Sequence, residues 1–573
     1  MGKGEKKSGR TLGNHVASRL TEIGIKDLFC VPGDFNMTLI DQLIAEKTLR
    51  MVNCPSELTA GYAADGYARA KGVSAVVVTF MVGGLSIANA IAGAYAENAP
   101  VILITGCPNS NDFSSNRILH HTLGLTDFQQ ELRMLREVTC HQATVTSLDF
   151  AYDQIDVAIA AALTNSKPVL IQIASNLSVM EHPLFEQAPL PFALCEDRSR
   201  PEALEAAVEA SVKFLSNASQ PVLLGGANIK VSGGIDAFRK LADASQYAVA
   251  LTSNAKGQFC ESHENYAGIY WAVLSSQGTK EVVESSDAVV FVGPFLNDYN
   301  TAGFAHDLPA SKILKIEPHR VTIGCQSTYG FVEMSEFLNA LAKRIKSNSA
   351  SADKYKELHK PEPEPKELGS GGKLITNVFY HHIQRFLRPE HTVMVDTGDA
   401  LFFVTKMRLP RLTRFEAQLH YASIGWSMGA SVGYQMGLPE RRVVNFIGDG
   451  SFQVTAVELT TALRCGLNPI IFLLNNASYT IEEQIHKGPY NEIGVWDYTG
   501  FAKALANGRG KLHTAQVKTE EQLKAQLDRI SQKELQDHVC FIEICLDPED
   551  CSKELLEFGA RLGPYNARPP NPV

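Results

Sequence analysis

The 573-residue chain has no CxxC pair, no surplus of basic charge, no apolar leader after its first charges and no short-period repeat. Eleven cysteines lie singly and are odd in number, which argues against a disulfide framework or a zinc ribbon and points to reduced, intracellular thiols. With 53 basic against 62 acidic side chains, a net charge of −9 and a pI near 6.0, the chain offers no footprint for nucleic acid. Its mild acidity is a solubility feature. The opening MGKGEKKSGR lacks the apolar core of a signal peptide, and Lys6 stands where myristoylation expects Ser or Thr. Residues 75–96 are apolar enough to suggest a membrane span, yet Gly83 and Gly84 interrupt them and Thr79, Ser86 and Asn89 punctuate them. A buried strand, a glycine turn and a core helix are expected there instead, in a soluble, cytoplasmic protein.

A hydrophobic content of 45% with 20% charged residues is globular composition, and the length suggests three domains. Short β-branched runs at 76–79, 101–105, 169–173, 222–224, 248–251, 289–292, 313–316, 393–395, 443–447, 470–474 and 541–544 alternate with helical patterns, the rhythm of an α/β protein with parallel sheets. Proline-rich residues 180–200 and the solvated stretch 346–372 break the rhythm. The expected domains are therefore 10–185, 200–345 and 373–560, with 346–372 as a linker.

The run GDGSFQVTAVELTTALRCGLNPIIFLLNNASYTIEE at 448–483 carries the most chemistry. One apolar strand ends in Gly448-Asp449-Gly450 and the next ends in Asn475-Asn476, with 451–474 leaving room for one helix and a return strand. In such a βαβ unit both carboxyl ends reach the same sheet edge. Asp449 and Asn476 then present hard oxygen ligands side by side, which suits Mg²⁺ completed by phosphate and water. Glycines let the backbone approach a diphosphate. A lone GDG is as often only a tight turn; the two motifs together are specific.

Other candidates are individually bland. Glu57 reads first as a helix-start carboxylate and Asp34 as a turn or capping residue. His120 and His121 read as one buried histidine beside an exposed partner. Together with VPGDFN, SELTAGYAADGYAR, HHTLGLTDF, TGDALFF, SIGWSMGA, NNASYTIEEQIHKGPYN and RPPNP, however, the chain resembles the thiamine diphosphate-dependent 2-oxo acid decarboxylases across residues 10–570. That resemblance implies three doubly wound parallel-sheet domains: a pyrimidine-binding first domain, a central domain given to packing and regulation, and a diphosphate-binding third domain. It further implies thiamine diphosphate with Mg²⁺, and a small 2-oxo acid, pyruvate foremost, decarboxylated without oxidation to an aldehyde.

By the same resemblance, Glu57 hydrogen-bonds the aminopyrimidine of the cofactor and Ile424 presses beneath it. Asp34, His120, His121 and Glu482 manage protons and the substrate carboxylate. Asp449, Asn476 and the Ser478 carbonyl hold Mg²⁺. Thr397, Asp399, Ala422, Ser423, Gly450, Ser451, Tyr479, Thr480 and Ile481 contact the cofactor. The cofactor would lie between two subunits, with a homodimer as the smallest active unit and a homotetramer as the usual assembly; no nucleic acid or membrane partner is expected. Ser478 stands where many members have glycine, and a positive φ there would cost of order 1 kcal/mol or more. Tyr421-Ala422 replaces the more usual Trp-Gly, Leu401 sits at a variable pocket position, and Met81 occupies a turn usually made by a small residue. Rival readings are a decarboxylase of aromatic 2-oxo acids, a flavin-carrying carboligase, and a silent scaffold.

Overall fold

The computed structural model describes residues 10–186, 190–192, 194, 197–360 and 363–570. In the first domain β1 (Asp27–Cys30), β2 (Arg50–Asn53), β3 (Ser74–Val78), β4 (Val101–Cys107), β5 (His141–Val145) and β6 (Val169–Ala174) form a sheet of order β2-β1-β3-β4-β6-β5. Every pairing in it is parallel. The third domain repeats the plan with β14 (His391–Val395), β15 (Arg414–Ala417), β16 (Arg442–Gly448), β17 (Ile470–Asn475), β18 (Leu512–Val517) and β19 (Val539–Cys545), in the order β15-β14-β16-β17-β19-β18, again all parallel. Helices cover both faces of such sheets, so the inner strands read as continuous apolar runs rather than alternating ones. SAVVV of β3 and VILITGC of β4 are buried throughout.

The central sheet is parallel as expected through most of its width and carries an antiparallel hairpin at one edge. Its strands β7 (Pro221–Gly225), β8 (Ala248–Thr252), β9 (Tyr266–Tyr270), β10 (Ala288–Val292), β11 (Ile313–Glu317), β12 (Arg320–Ile323) and β13 (Ser327–Gly330) run in the order β13-β12-β11-β10-β7-β8-β9. β12 and β13 are antiparallel to their neighbours. Only Pro318 and His319 separate β11 from β12, and a link that short makes a hairpin but cannot make a parallel crossover.

Two expectations are corrected. Part of the stretch read as linker forms the helix Ala350–Leu358, whose Ala352 and Tyr355 are buried against Val222, Leu224 and Ala248 of the central sheet. Its Ser351 hydroxyl donates to Pro221 O at 2.5 Å and accepts from Ala248 N at 3.0 Å. The polar composition of 350–358 is the solvent face of an amphipathic helix. The crossover between β16 and β17 is two short helices, Asp449–Thr455 and Leu459–Arg464, joined by a 3₁₀ turn at Ala456–Glu458, rather than one helix.

Residues 75–96 form β3 and the helix Val82–Ala96, and no helix among the described residues is long and apolar enough to cross a membrane. The ten described cysteines are all free.

The first and third domains meet where the helix Glu57–Lys71 crosses the helix Trp426–Gly437 backbone to backbone. A Cβ on Gly433 would stand 1.7 Å from Ala63 O, and one on Gly66 would stand 2.1 Å from Ala430 O. The crossing therefore needs glycine at both positions. One apolar cluster runs through it from Phe29 and Val76 to Ile447 and Phe541.

Candidate active site

The strand order of the third sheet reverses between β14 and β16, and ligands of open α/β sheets bind outside the carboxyl ends at such a point. β14 runs out into Thr397, Gly398 and Asp399, β16 into Asp449, Gly450 and Ser451, and β17 into Asn476 and Ser478. These residues line one cleft with Tyr479, Thr480, Ile481 and Ile424. Sixteen of the eighteen expected site positions therefore fall into two groups at sheet edges: this cleft with its braces, and the cluster around Asp34 described below.

Parallel pairing in the register Gly448↔Leu474 brings the two motifs together. Asp449 Oδ1 accepts from Gly450 N at 2.9 Å and Oδ2 from Ala477 N at 2.7 Å, so the carboxylate spans both strand ends. Burial pushes it up to about 6, a shift that an adjacent divalent cation reverses. Asn476 is tied through Nδ2 to Thr480 Oγ1 at 2.5 Å, while its Oδ1 is buried with no protein partner. Thr397 Oγ1 is likewise buried and unpartnered. Buried polar atoms are nearly always satisfied, and a carboxylate plus an orphaned amide oxygen is a donor set that fits Mg²⁺.

The conformational strain expected at Ser478 lies one residue earlier. Ala477 has φ 60, whereas Ser478 is not among the positive-φ residues and pairs as an isolated antiparallel bridge with Glu492. The left-handed turn at Ala477 is what aims its N–H at Asp449.

Ile424 is braced from both domains. Asp396, fully buried, accepts from Gly425 N at 3.0 Å and Ser427 N at 2.8 Å, capping the helix behind Ile424. Ser423 shares a 2.7 Å hydrogen bond with Tyr62 of the first domain and accepts from Asn89 Nδ2 at 3.0 Å. Tyr421 donates to Asn89 Oδ1 at 2.8 Å. Ala422 has φ 54, a left-handed position that explains why glycine is the more usual residue there.

The first sheet reverses between β1 and β3, and Asp34 leaves at that point. His120 Nε2 lies 2.6 Å from Asp34 Oδ2, and His121 Nε2 lies 3.5 Å from Oδ1. His120 stacks on Phe35 at 4.9 Å between ring centroids, and His121 adopts φ 66. The two imidazoles thus share one carboxylate, contrary to the picture of one buried and one exposed histidine.

Two expected residues stand apart. Glu57 begins the helix Glu57–Lys71 behind the Ser56 cap, half-buried, and does not line the cleft of its own chain. Glu482 lies exposed on the short helix Thr480–Ile485, at the rim next to the cleft-lining Ile481 but not lining the cleft itself.

Several functional neighbours escaped sequence reasoning. The buried Tyr299 hydroxyl, from the central domain, has no hydrogen-bond partner; burial raises it most, followed by the charges of Glu482 and Asp399. The central domain therefore reaches the edge of the site, beyond its expected packing role. Ser552 holds Asp399 through its hydroxyl at 2.5 Å, and burial pushes Asp399 up to about 6. Glu131, fully buried, accepts from Met81 N at 3.1 Å and from the Gln172 amide, fixing the Met81 turn at φ 56. No local motif marks any of them, and Asp396, immediately before the TGD run, caps a helix whose donor N–H groups begin 29 residues further on.

A larger cavity of about 530 Å³ lies among the three domains; of the cations lining it, Arg69 is paired with Asp65, Lys230 with Glu416 and Lys256 with Glu261.

A cleft with a cation-ready oxygen pair at one switch point, and a separate carboxylate–histidine cluster at another, define an α/β enzyme that binds a phosphorylated cofactor. Family models agree. Residues 10–132 match the N-terminal TPP binding domain of thiamine pyrophosphate enzymes, 208–341 their central domain and 396–544 their C-terminal TPP binding domain. The chain is 50% identical to "Pyruvate decarboxylase 2" of Oryza sativa subsp. indica over 562 residues, 98% of this chain and 93% of the relative. It is equally similar, at 50% over 562 residues, to "Pyruvate decarboxylase 2" of Arabidopsis thaliana (98% and 92% covered) and "Pyruvate decarboxylase 1" of Pisum sativum (98% and 95%). The chain belongs to the thiamine pyrophosphate enzyme family, within the group formed by these pyruvate decarboxylases.

Proposed function

We propose that the protein converts pyruvate to acetaldehyde and CO₂, using thiamine diphosphate and Mg²⁺. The carrying observation is the Asp449–Asn476 pair, whose free oxygen is buried and aimed into a cleft at a topological switch point. Asp449, Asn476 and the Ser478 carbonyl hold the cation. Thr397, Asp399, Ala422, Ser423, Gly450, Ser451, Tyr479, Thr480 and Ile481 seat the cofactor, and Ile424 supports it from beneath. When bound, thiamine diphosphate supplies an electron sink for the carbon–carbon bond that breaks.

Replacing the lost carboxylate by hydrogen consumes one proton, which a positioned side chain must deliver. The Asp34–His120 pair holds such a proton across 2.6 Å, with His121 on the other carboxylate oxygen. Histidine suits this task because its ordinary titration range is near neutrality. Glu482 completes the proton-handling set, and Glu57 serves the aminopyrimidine.

Glu57 does not line the cleft of its own chain, which supports a site shared between subunits: a homodimer as the smallest active unit, a homotetramer as the assembly. The acidic chain with no candidate membrane-crossing helix among its described residues is read as cytoplasmic. Ile481 lines the cleft, and it and Ile485 pack against the apolar cluster of the central domain; apolar bulk at these two positions favours pyruvate over aromatic 2-oxo acids.

Incubation with pyruvate, thiamine diphosphate and Mg²⁺, followed by identification of the volatile product, tests the reading. Acetaldehyde with equimolar CO₂ supports it; a joined acetohydroxy acid identifies a carboligase instead, and a strong preference for phenylpyruvate identifies the aromatic-acid branch.

A further inference from the structure

The first-domain cluster has a coordination chemistry of its own. One ligand atom from each of Asp34, His120 and His121 lies within 4.8 Å of the other two. A zinc-like ion takes imidazole nitrogen at about 2.0–2.1 Å and carboxylate oxygen at about 2.0–2.2 Å, which sets neighbouring donors roughly 3–3.5 Å apart. Small side-chain rotations therefore bring all three donors onto one ion. Much of the ordering is already in place: Phe35 stacks on His120 with an interplanar angle of 16°, and the left-handed backbone at His121 turns its ring to the same carboxylate.

We propose that Asp34, His120 and His121 form a binding site for a borderline divalent transition-metal ion such as Zn²⁺, with two imidazole nitrogens, one carboxylate oxygen and water as ligands. The donor set separates it from the Mg²⁺ cleft. Imidazole suits Zn²⁺, Cu²⁺ and Ni²⁺, whereas Mg²⁺ takes oxygen ligands almost exclusively. Side-chain exposures of 48%, 58% and 30% for Asp34, His120 and His121 leave an entry path from solvent. An ion bound there replaces the proton between His120 and Asp34, because metal ligation requires deprotonated ligands. Occupancy consequently slows any reaction that draws on that proton; this clause alone rests on the proposed function.

The test is a calorimetric titration of Zn²⁺ into the full chain loaded with thiamine diphosphate and saturating Mg²⁺, so that the Asp449 cleft is filled. One equivalent per chain is expected. Each of Asp34→Asn, His120→Gln and His121→Gln should weaken it by more than about tenfold, with circular dichroism and cofactor content unchanged. No bound Zn²⁺, or an equivalent that all three variants retain, overturns the site. Decarboxylation should fall with Zn²⁺ occupancy and return on chelation at constant free Mg²⁺. Binding without inhibition keeps the site and removes its link to the reaction.

Discussion

Asn476 Nδ2 donates to Thr480 Oγ1 at 2.5 Å, and that one bond decides which end of the amide faces the cleft. With the nitrogen engaged, the oxygen is left buried and free. Thr480→Val keeps the shape and removes the acceptor. Mg²⁺-dependent binding of thiamine diphosphate should weaken about 10–100-fold, the usual effect of losing an outer partner of a ligand. Asp449→Ala should abolish it. A cofactor titration followed by intrinsic fluorescence at graded Mg²⁺ checks both; wild-type affinity in Thr480→Val would mean the amide orientation does not matter.

Glu57→Gln should lower turnover by at least about 100-fold, the lower end of what a positioned proton-transfer group contributes, without altering the fold. Because Glu57 and the Asp449 cleft are separate in one chain, mixing Glu57→Gln with Asp449→Ala subunits should restore activity. Random pairing makes half the dimers mixed, each with one intact site, so recovery approaches about a quarter of wild type. If refolded mixtures stay as inactive as either parent, the shared site is wrong.

Asp396→Ala strips the acceptor from Gly425 N and Ser427 N, the donors that shape the turn after Ile424. Loss of such a cap costs of order 1 kcal/mol. The expected signature is a modest fall in melting temperature with a larger fall in kcat than rise in KM. A variant whose kcat is untouched would show that the turn holds without its cap.

Burial pushes the Glu131 carboxyl up to about 7, against 4.5 for the free side chain. The folded protein therefore binds more protons than the unfolded chain between about pH 4.5 and 7, and this group's contribution to stability falls as pH rises through that window. Above it the cost levels off at about 3 kcal/mol. Glu131→Gln cannot titrate, so its melting temperature relative to wild type should rise from pH 5 to pH 8. A difference that stays flat with pH would show that the carboxylate is ionised at no cost.

Each of the eleven strand runs read from sequence overlaps an observed strand. Those not read are instructive. β2, β5, β9, β13, β15 and β18 are the six edge strands of the three sheets, joined by the four-residue β1 and the hairpin strand β12. An inner parallel strand is buried on both faces and must be apolar throughout. An edge strand such as LHTAQV of β18 is buried in full only at Val517, so its composition carries little of that signal.

The site divides the same way. GDG and NN were readable because their chemistry is written in consecutive residues: a carboxylate and an amide, each following an apolar strand. Asp34, Glu57 and the paired histidines gained meaning only as a set, since each has an ordinary structural use. Tyr299, Ser552 and Glu131 could not be found this way. Each is defined by what stands opposite it, and the residues opposite Tyr299 lie 100 or more positions along the chain.

By itself, the sequence determined the three α/β segments and the chemical types gathered at 449–482, because hydrophobic burial and cofactor chemistry each dictate residue identity locally. Only the tertiary structure decided which atoms are left free. Strand register set Asp449 beside Ala477, the Ala477 turn aimed its amide at that carboxylate, and the glycine crossing of two helices fixed the first domain against the segment holding Ile424. Those outcomes depend on distances between backbones that no single stretch of chain encodes.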